Sequence, residues 1–367
     1  NDSLPGDNIM GNDAYELLAN VLGSLPNGFP RTETGVELEL LKKLFAPDEA
    51  ELFCRLRLNK ETAREIAERT GLEKSALETK LAQMWERGLV ECDPSGAEPK
   101  YGLVAWILGL YELQQKFIDE KFARLHAKYI KAVGPYFLRH KPHMMQVVPI
   151  EKEIRADQSA MPYERVSALI DSCVSFAVSP CICKKQTSLL GRECTKPREV
   201  CLAISEKEGY FDNHPLVGRV ITKAEALDIL RMSEEAGLVH MTGNTKRGHF
   251  FICNCCGCCC VQLMAARFGM RDTVNAHYYA VIDSALCRNC GLCADTRCQV
   301  KAIAAEGTRA VMRDRCIGCG LCVSTCPEKA ITLVRKSPEE QQNPPEDESE
   351  WNREKARAQG IDITPYE

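Results

Sequence analysis

A cysteine motif that occurs twice near the C-terminus places the strongest constraint on this chain. The first copy is Cys287-x-x-Cys290-x-x-Cys293-x-x-x-x-Cys298, and the second is Cys316-x-x-Cys319-x-x-Cys322-x-x-x-Cys326-Pro327. The first three cysteines of the two copies are 29 residues apart, and the fourth cysteines are 28 apart. Eight thiolates at these spacings are the ligand set of two 4Fe-4S clusters, so the motif predicts a protein that moves electrons.

These residues resemble the bacterial two-cluster ferredoxin domain over roughly residues 280–335. In that family the fourth cysteine of each run binds the other cluster. The resemblance implies that cluster I is held by Cys287, Cys290, Cys293 and Cys326. It implies that cluster II is held by Cys298, Cys316, Cys319 and Cys322.

The first copy departs from the family pattern in two ways. It has one extra residue before Cys298, and Gln299 stands where a proline usually follows the fourth cysteine. Both changes act on the loop that presents Cys298 to cluster II. Zinc is the alternative metal, because it also favours Cys-x-x-Cys pairs, but it gives no reason for a repeat of three cysteines plus one.

Cysteine usage also bears on the cellular environment. The 367 residues contain 21 cysteines, and only Cys54 and Cys92 precede Cys173. The odd count and the clustered spacing argue against a secreted disulfide framework and favour the reducing cytoplasm of an anaerobe. No stretch reaches the roughly 18 apolar residues that a membrane span needs, and no signal peptide is expected.

A second group of cysteines lies in the middle of the chain. Its members are Cys181, Cys183, Cys194, Cys201, Cys253, Cys255, Cys256, Cys258, Cys259 and Cys260. This density predicts at least one further iron-sulfur cluster, with a structural zinc site or unligated thiols as alternatives. Cys173 is expected in the apolar core. His240 and His249 are not taken as ligands, because thiolates are abundant nearby.

Residues 34–104 resemble a winged helix-turn-helix domain, with successive helices followed by two short strands around Asp93-Pro94-Ser95-Gly96. Residues 31–100 carry 12 Lys or Arg and 15 Asp or Glu. Since phosphate neutralisation supplies most of the affinity for DNA, this acidic balance predicts no nucleic-acid binding. A docking role is expected instead, against the rest of the chain or a partner.

The sequence as a whole predicts an α+β protein of several domains. The expected order is an N-terminal extension (1–33), a winged-helix-like domain (34–104), a connecting helix (105–135) and a cysteine-rich cluster-binding domain (136–280). A two-cluster ferredoxin domain (281–336) and an acidic C-terminal tail (337–367) follow. The extension is expected to be irregular and the tail to be solvated, with Trp351 as the one residue there that suggests docking.

Together the cysteine segments resemble multicluster ferredoxin-like proteins of anaerobes, in which Pro-Cys-x-Cys and Cys-Asn-Cys-Cys segments precede a dicluster ferredoxin module. The resemblance implies electron transfer to or from a redox partner protein or the subunits of an oxidoreductase complex. Two alternatives stay open. One is an iron-sulfur redox sensor that regulates transcription through the winged helix, and the other is an oxidoreductase that acts at the middle cluster.

Overall fold

The computed structural model describes residues 12–158, 160–304 and 306–367. Helices and antiparallel sheets are mixed along these residues, in agreement with the predicted α+β class. Among the described helices, none is long and apolar enough to cross a bilayer.

The N-terminal part begins with three helices that pack on one another, α1 (Asn12–Gly23), α2 (Val36–Leu44) and α3 (Pro47–Phe53). Residues 1–11 of the predicted extension lie outside the described residues. From residue 12 the prediction of an irregular segment is wrong, because Leu18, Leu22 and Phe29 are buried in the same core as Leu40 and Phe53. Apolar burial at helical spacing therefore orders this segment.

Residues 61–102 follow the order that the winged-helix prediction requires. Strand β1 (Glu61–Thr62) leads into α4 (Ala63–Thr70) and α5 (Lys74–Glu86), and β2 (Glu91–Asp93) and β3 (Lys100–Gly102) form a hairpin. The strands make a three-stranded antiparallel sheet in the order β1-β3-β2. The two predicted strands are present, and the short strand β1 adds to them.

Within the connecting segment, apolar residues at helical spacing predict a helix over Leu110–Val133 with Phe117 on its apolar stripe, and these bounds are wrong. A short helix, α6 (Tyr111–Leu113), is followed by a break, and the long helix α7 (Glu120–Arg139) begins ten residues later than expected. Asp119 starts α7, because its carboxylate accepts a hydrogen bond from the Phe122 amide at 2.8 Å. Phe117, expected on the apolar stripe, is 46% exposed.

The middle region is built on a six-stranded antiparallel sheet in the order β4-β8-β9-β6-β5-β7. Its strands are β4 (Met145–Val147), β5 (Ser175–Pro180), β6 (Glu199–Ser205), β7 (Arg219–Ile221), β8 (Val239–Gly243) and β9 (Phe251–Cys255). The helices between them are α8 (Val166–Asp171), α9 (Ile182–Leu189), α10 (Lys223–Glu235) and α11 (Val261–Arg267). The capping-box pattern Thr222-Lys223-Ala224-Glu225 predicts the start of α10, and in the structure Thr222 Oγ1 accepts from the Glu225 amide at 3.2 Å.

The two faces of this sheet carry different side chains, because residues alternate between the faces along each strand. Leu202 and Ile204 of β6 and Ile252 of β9 are buried in one apolar cluster with residues of α8 and α10. Cys173 lies in the same cluster, as predicted. Because successive side chains of a strand point to opposite faces, Cys201 and Cys253 belong to the other face. The sheet therefore separates an apolar core from a cysteine-bearing surface.

The C-terminal cysteine repeats lie between two strands. Strand β10 (Tyr278–Ile282) pairs with β11 (Ile331–Arg335) in antiparallel register, and helix α12 (Leu321–Thr325) precedes the fourth cysteine of the second copy. In the first copy the equivalent turn, Cys293–Arg297, is wider, and the Cys298 amide donates to the Cys293 carbonyl at 3.0 Å. This wider turn accommodates the extra residue that the sequence showed.

The acidic tail is packed rather than solvated, so that expectation is wrong. Helix α13 (Glu348–Gln359) buries Trp351, whose indole Nε1 donates to the carbonyl of His143 at 2.8 Å. Farther along, the carbonyl of Tyr366 accepts from the Leu58 amide at 2.6 Å. Trp351 packs on the body of the protein, as its presence in the tail suggested. The exposed acidic side chains of the tail face solvent.

Candidate metal centres

A cavity brings together the four cysteines that were assigned to cluster II. Cys298 of the first copy and Cys316, Cys319 and Cys322 of the second copy all line it. Ala280, Ile303, Val311 and Leu321 complete its wall with apolar side chains. The fourth cysteine of one copy therefore faces the first three of the other, as the ferredoxin resemblance implied.

The backbone around this cavity is arranged to meet sulfur. The amide of Ala280 donates to Cys316 Sγ at 3.4 Å, and the amide of Ala302 donates to Cys298 Sγ at 3.1 Å. Burial raises the pKa of Cys319 to about 12, so a neutral thiol is favoured until a cation replaces its proton. Four convergent thiols, apolar walls and amide donors fit a 4Fe-4S cluster.

The first copy gathers the cysteines assigned to cluster I less tightly. Burial raises the pKa of Cys293, and the charges of Cys287 and Cys290 add to the effect. Cys326 packs against the small apolar cluster that contains Cys293, and its Sγ accepts from the Ala330 amide at 3.3 Å. Cys290 is exposed, which places this group at the protein surface.

The ten middle cysteines divide into two groups. Six of them form what we call the inner group, namely Cys181, Cys183, Cys201, Cys253, Cys255 and Cys260. Hydrogen bonds run from Cys260 to Cys255, from Cys255 to Cys253 and from Cys253 to Cys201. Cys183 donates to Cys181 and interacts electrostatically with Cys255 and Cys260.

Two helix starts and one strand position this inner group. Cys181 and Cys260 are the residues before α9 and α11, and Cys253 and Cys255 end strand β9. The pKa values of Cys253, Cys255 and Cys260 are raised well above that of an ordinary thiol, because each donates to a neighbouring sulfur and is buried. These buried protons are the ones that metal binding would displace.

The other four cysteines form the outer group, Cys194, Cys256, Cys258 and Cys259. Their sulfur atoms all lie within 4.8 Å of one another. Among the described residues, this is the only set of three or more histidine, cysteine or carboxylate ligands that meets so closely. Hydrogen bonds from Cys259 and Cys258 lower the pKa of Cys256 to about 5. Cys258 is exposed, so the outer group reaches the surface.

Lys184 is a charged residue near both groups that the sequence analysis missed. Its side chain is buried, and Nζ donates to the carbonyl of Pro197 at 2.5 Å. Hydrogen bonds from Cys183 and Cys259 are the main causes that lower the pKa values of Cys181 and Cys256, and the positive charge of Lys184 adds to both effects. A lysine next to Cys183 in the sequence was the available signal, because a buried ammonium needs anionic or carbonyl partners.

Tyr111 is a second residue that the sequence analysis missed. It is buried, stacks on His126 with ring centroids 3.8 Å apart, and hydrogen-bonds to Cys183. His126 in turn hydrogen-bonds to Gln186 of α9 at 2.8 Å. Tyr111 of α6 and His126 of α7 thus place two stacked rings beside Cys183 of the inner group. The histidines set aside as ligands have other partners, since His240 hydrogen-bonds to Asn254 at 2.6 Å.

Gln299 joins the middle cysteines to the C-terminal repeats. Its side-chain Oε1 accepts from the Gly257 amide at 3.0 Å, inside the loop that carries Cys256, Cys258 and Cys259. A Cβ atom at Gly257 would overlap the carbonyl oxygen of Gln299, so only glycine permits this approach. The residue that departs from the ferredoxin pattern therefore connects Cys298 to the outer group.

The winged-helix-like region contacts the middle region through its hairpin. Lys207 pairs with Asp93 at 2.5 Å, and the Tyr210 hydroxyl donates to the carbonyl of Cys92 at 3.4 Å. The winged-helix resemblance implies that α5 would be the recognition helix, but its basic residues have acidic partners, since Lys80 pairs with Asp48 at 2.5 Å and Lys74 with Glu78 at 3.3 Å. These contacts leave little free positive charge on α5 for phosphate.

Comparison with known proteins gives one family match. Residues 310–332 match the 4Fe-4S binding domain family, and this range contains Cys316, Cys319, Cys322 and Cys326. Curated proteins give no match, and neither do solved structures. The match and the density of cysteines support an iron-sulfur protein with at least one 4Fe-4S cluster.

Proposed function

We propose that this chain is an electron-transfer protein or subunit that relays electrons through several 4Fe-4S clusters to or from a partner oxidoreductase. The observation that carries the proposal is the cavity lined by Cys298, Cys316, Cys319 and Cys322, which joins the two copies of the motif. A 4Fe-4S cluster supplies one-electron redox chemistry when it is bound. The chain supplies the ligands, the amide donors and the apolar walls.

Exposure of the cysteines suggests where electrons enter or leave. The cysteines around the cluster II cavity are buried or half-buried, whereas Cys290 of the cluster I set is exposed. Leu286 and Leu292 beside it are 53% and 43% exposed. An exposed ligand with apolar neighbours suits brief contact with a redox partner, so we assign the surface end of the relay to cluster I.

The inner group provides the third cluster of this proposal. Its six cysteines, all buried or half-buried, are more than the four that one cluster requires. The backbone from Cys255 to Gly257 and the hydrogen bond from the Gly257 amide to Gln299 connect the inner group to cluster II, because Gln299 is next to Cys298 in the sequence. An electron that enters at cluster I would therefore have a continuous path of bonded and hydrogen-bonded atoms into the middle region.

Iron and sulfide analysis of protein purified without oxygen tests the proposal. Three clusters give about twelve iron and twelve sulfide per chain, and dithionite should reduce them with paramagnetic resonance signals typical of 4Fe-4S centres. A total of eight iron or fewer would remove the middle cluster. Iron without an equal amount of sulfide would contradict the proposal that the chain relays electrons through 4Fe-4S clusters. Proteins that co-purify from the native organism would identify the partner.

A further inference from the structure

The outer group has sulfur-to-sulfur distances that are short and nearly uniform. Cys194 Sγ lies 3.9 Å from Cys256 Sγ and 3.6 Å from Cys258 Sγ. Cys258 Sγ lies 3.2 Å from Cys256 Sγ and 3.7 Å from Cys259 Sγ. All four atoms thus outline a compact tetrahedron with room for one small centre.

These distances agree with a single metal ion. A zinc-thiolate bond is about 2.3 Å long, so a tetrahedron of four thiolates around one ion has edges of about 3.8 Å. In a 4Fe-4S cluster each thiolate binds a different iron at a separate corner, which holds the thiolates farther apart. The outer group is therefore too compact for a cluster.

The inner group provides the contrast within the same region. No three of its six cysteines have sulfur atoms that all lie within 4.8 Å of one another, although these cysteines interact in pairs. Sulfur atoms that are spaced more widely than a single ion requires, but that still interact in pairs, suit a centre with several metal atoms. Both groups draw on residues 253–260, because neighbouring residues at the end of β9 and in the turn after it point in different directions. Cys256, Cys258 and Cys259 belong to the outer group, and the three cysteines on either side of them belong to the inner group.

We propose that Cys194, Cys256, Cys258 and Cys259 hold one zinc ion in a structural site separate from the iron-sulfur clusters. Four thiolates complete the coordination of zinc and leave no open position for a substrate. Zinc does not change its oxidation state, so this centre stores no electron. Its role is to tie the loop before β6 to the loop after β9, which Gln299 contacts from the C-terminal repeats.

The test uses the full chain, purified without oxygen and washed with a chelator, and measures zinc, iron and sulfide by mass spectrometry and colorimetry. The wild-type protein should contain about one zinc per chain in addition to its iron. Cys194→Ser and Cys258→Ser should each lose that zinc and keep their full iron and sulfide. Cys258 is exposed, so its replacement does not disturb a packed core.

Two further variants make the result specific. Cys258→His should retain the zinc, because zinc accepts three thiolates and one imidazole. Cys173→Ser, which changes a cysteine in the apolar core far from either group, should keep both zinc and iron. Loss of about four iron and four sulfide in Cys258→Ser would overturn the proposal in favour of a cluster. Wild-type protein without zinc would also overturn it.

Discussion

The C-terminal repeats and the middle region both collect cysteines, but they do so by different means. In the repeats, one cavity joins the first three cysteines of the second copy with the fourth cysteine of the first copy, as their order along the chain predicts. In the middle region, residues 253–260 supply three cysteines to each of the two groups. Cys255 belongs to the inner group and Cys256 to the outer group, although they are adjacent.

This comparison shows that the spacing of cysteines along the sequence identifies the ligands of one centre only where the same local backbone conformation occurs in each copy of a motif. Each copy has a short helical turn before its fourth cysteine, and the pairing of β10 with β11 brings together the two ends of the segment that carries both turns. Strand β9 instead ends inside its cysteine run, so the direction of successive side chains changes from residue to residue. Assignment of the middle ligands therefore depends on the sheet, which is formed by distant segments.

The largest effect is expected in the inner group. Cys255→Ser should remove one cluster, about four iron per chain, and should lower the melting temperature by on the order of 10 °C, because metal binding contributes to folding free energy. Calorimetry and iron analysis without oxygen measure both effects. Cys173→Ser is the matched control and should keep its iron. Full iron content and unchanged melting in Cys255→Ser would show that Cys255 is not a ligand.

A smaller effect on stability but a specific effect on the spectrum is expected in the repeats. Cys298→Ser should disturb cluster II, because Cys298 lines the cavity with Cys316, Cys319 and Cys322. Paramagnetic resonance of the reduced protein should retain the signal of cluster I. Cys287→Ser is the matched variant and should give the reverse result. Loss of the cluster I signal in Cys298→Ser would exclude the crossed ligand assignment.

The smallest effect concerns the contact between the two regions. Gln299→Ala removes the acceptor of the buried Gly257 amide and should cost about 1 to 3 kcal/mol, a decrease of a few degrees in melting temperature. Gln299→Glu keeps an acceptor at this position and should lose less. Iron content should stay unchanged in both variants. If the melting temperature of Gln299→Ala equals that of the wild-type protein, this contact does not stabilise the junction between the two regions.

Much of the site followed from the sequence, and the reasons are local. The repeats predicted a compact pair of cysteine turns, and the cavity joins the four cysteines expected at cluster II. The start of α10 was predicted because Thr222 and Glu225 are three residues apart, as helix capping requires. The ten middle cysteines were recognised as a set, but their division into two groups was not predicted.

The failures involve contacts between residues far apart in the chain. The tail was expected to be solvated because its composition is acidic, yet Trp351 reaches His143 across about 200 residues. The start of α7 was missed because Tyr111, which precedes it, stacks on His126 of α7 and hydrogen-bonds to Cys183 of α9 rather than continue one long helix. Lys184 and Gln299 gain their importance only from partners that the fold brings near.

The C-terminal segment (337–367) has a consequence for the order of events during synthesis. Its residues contact Leu58 in the N-terminal part, His143 at the edge of the sheet, and Lys246 next to β8. All 21 cysteines precede this segment in the chain, so the ribosome has released every one of them before these contacts form. Metal ions therefore reach a chain in which every cysteine has been synthesised but the C-terminal segment has not yet packed against the rest of the protein.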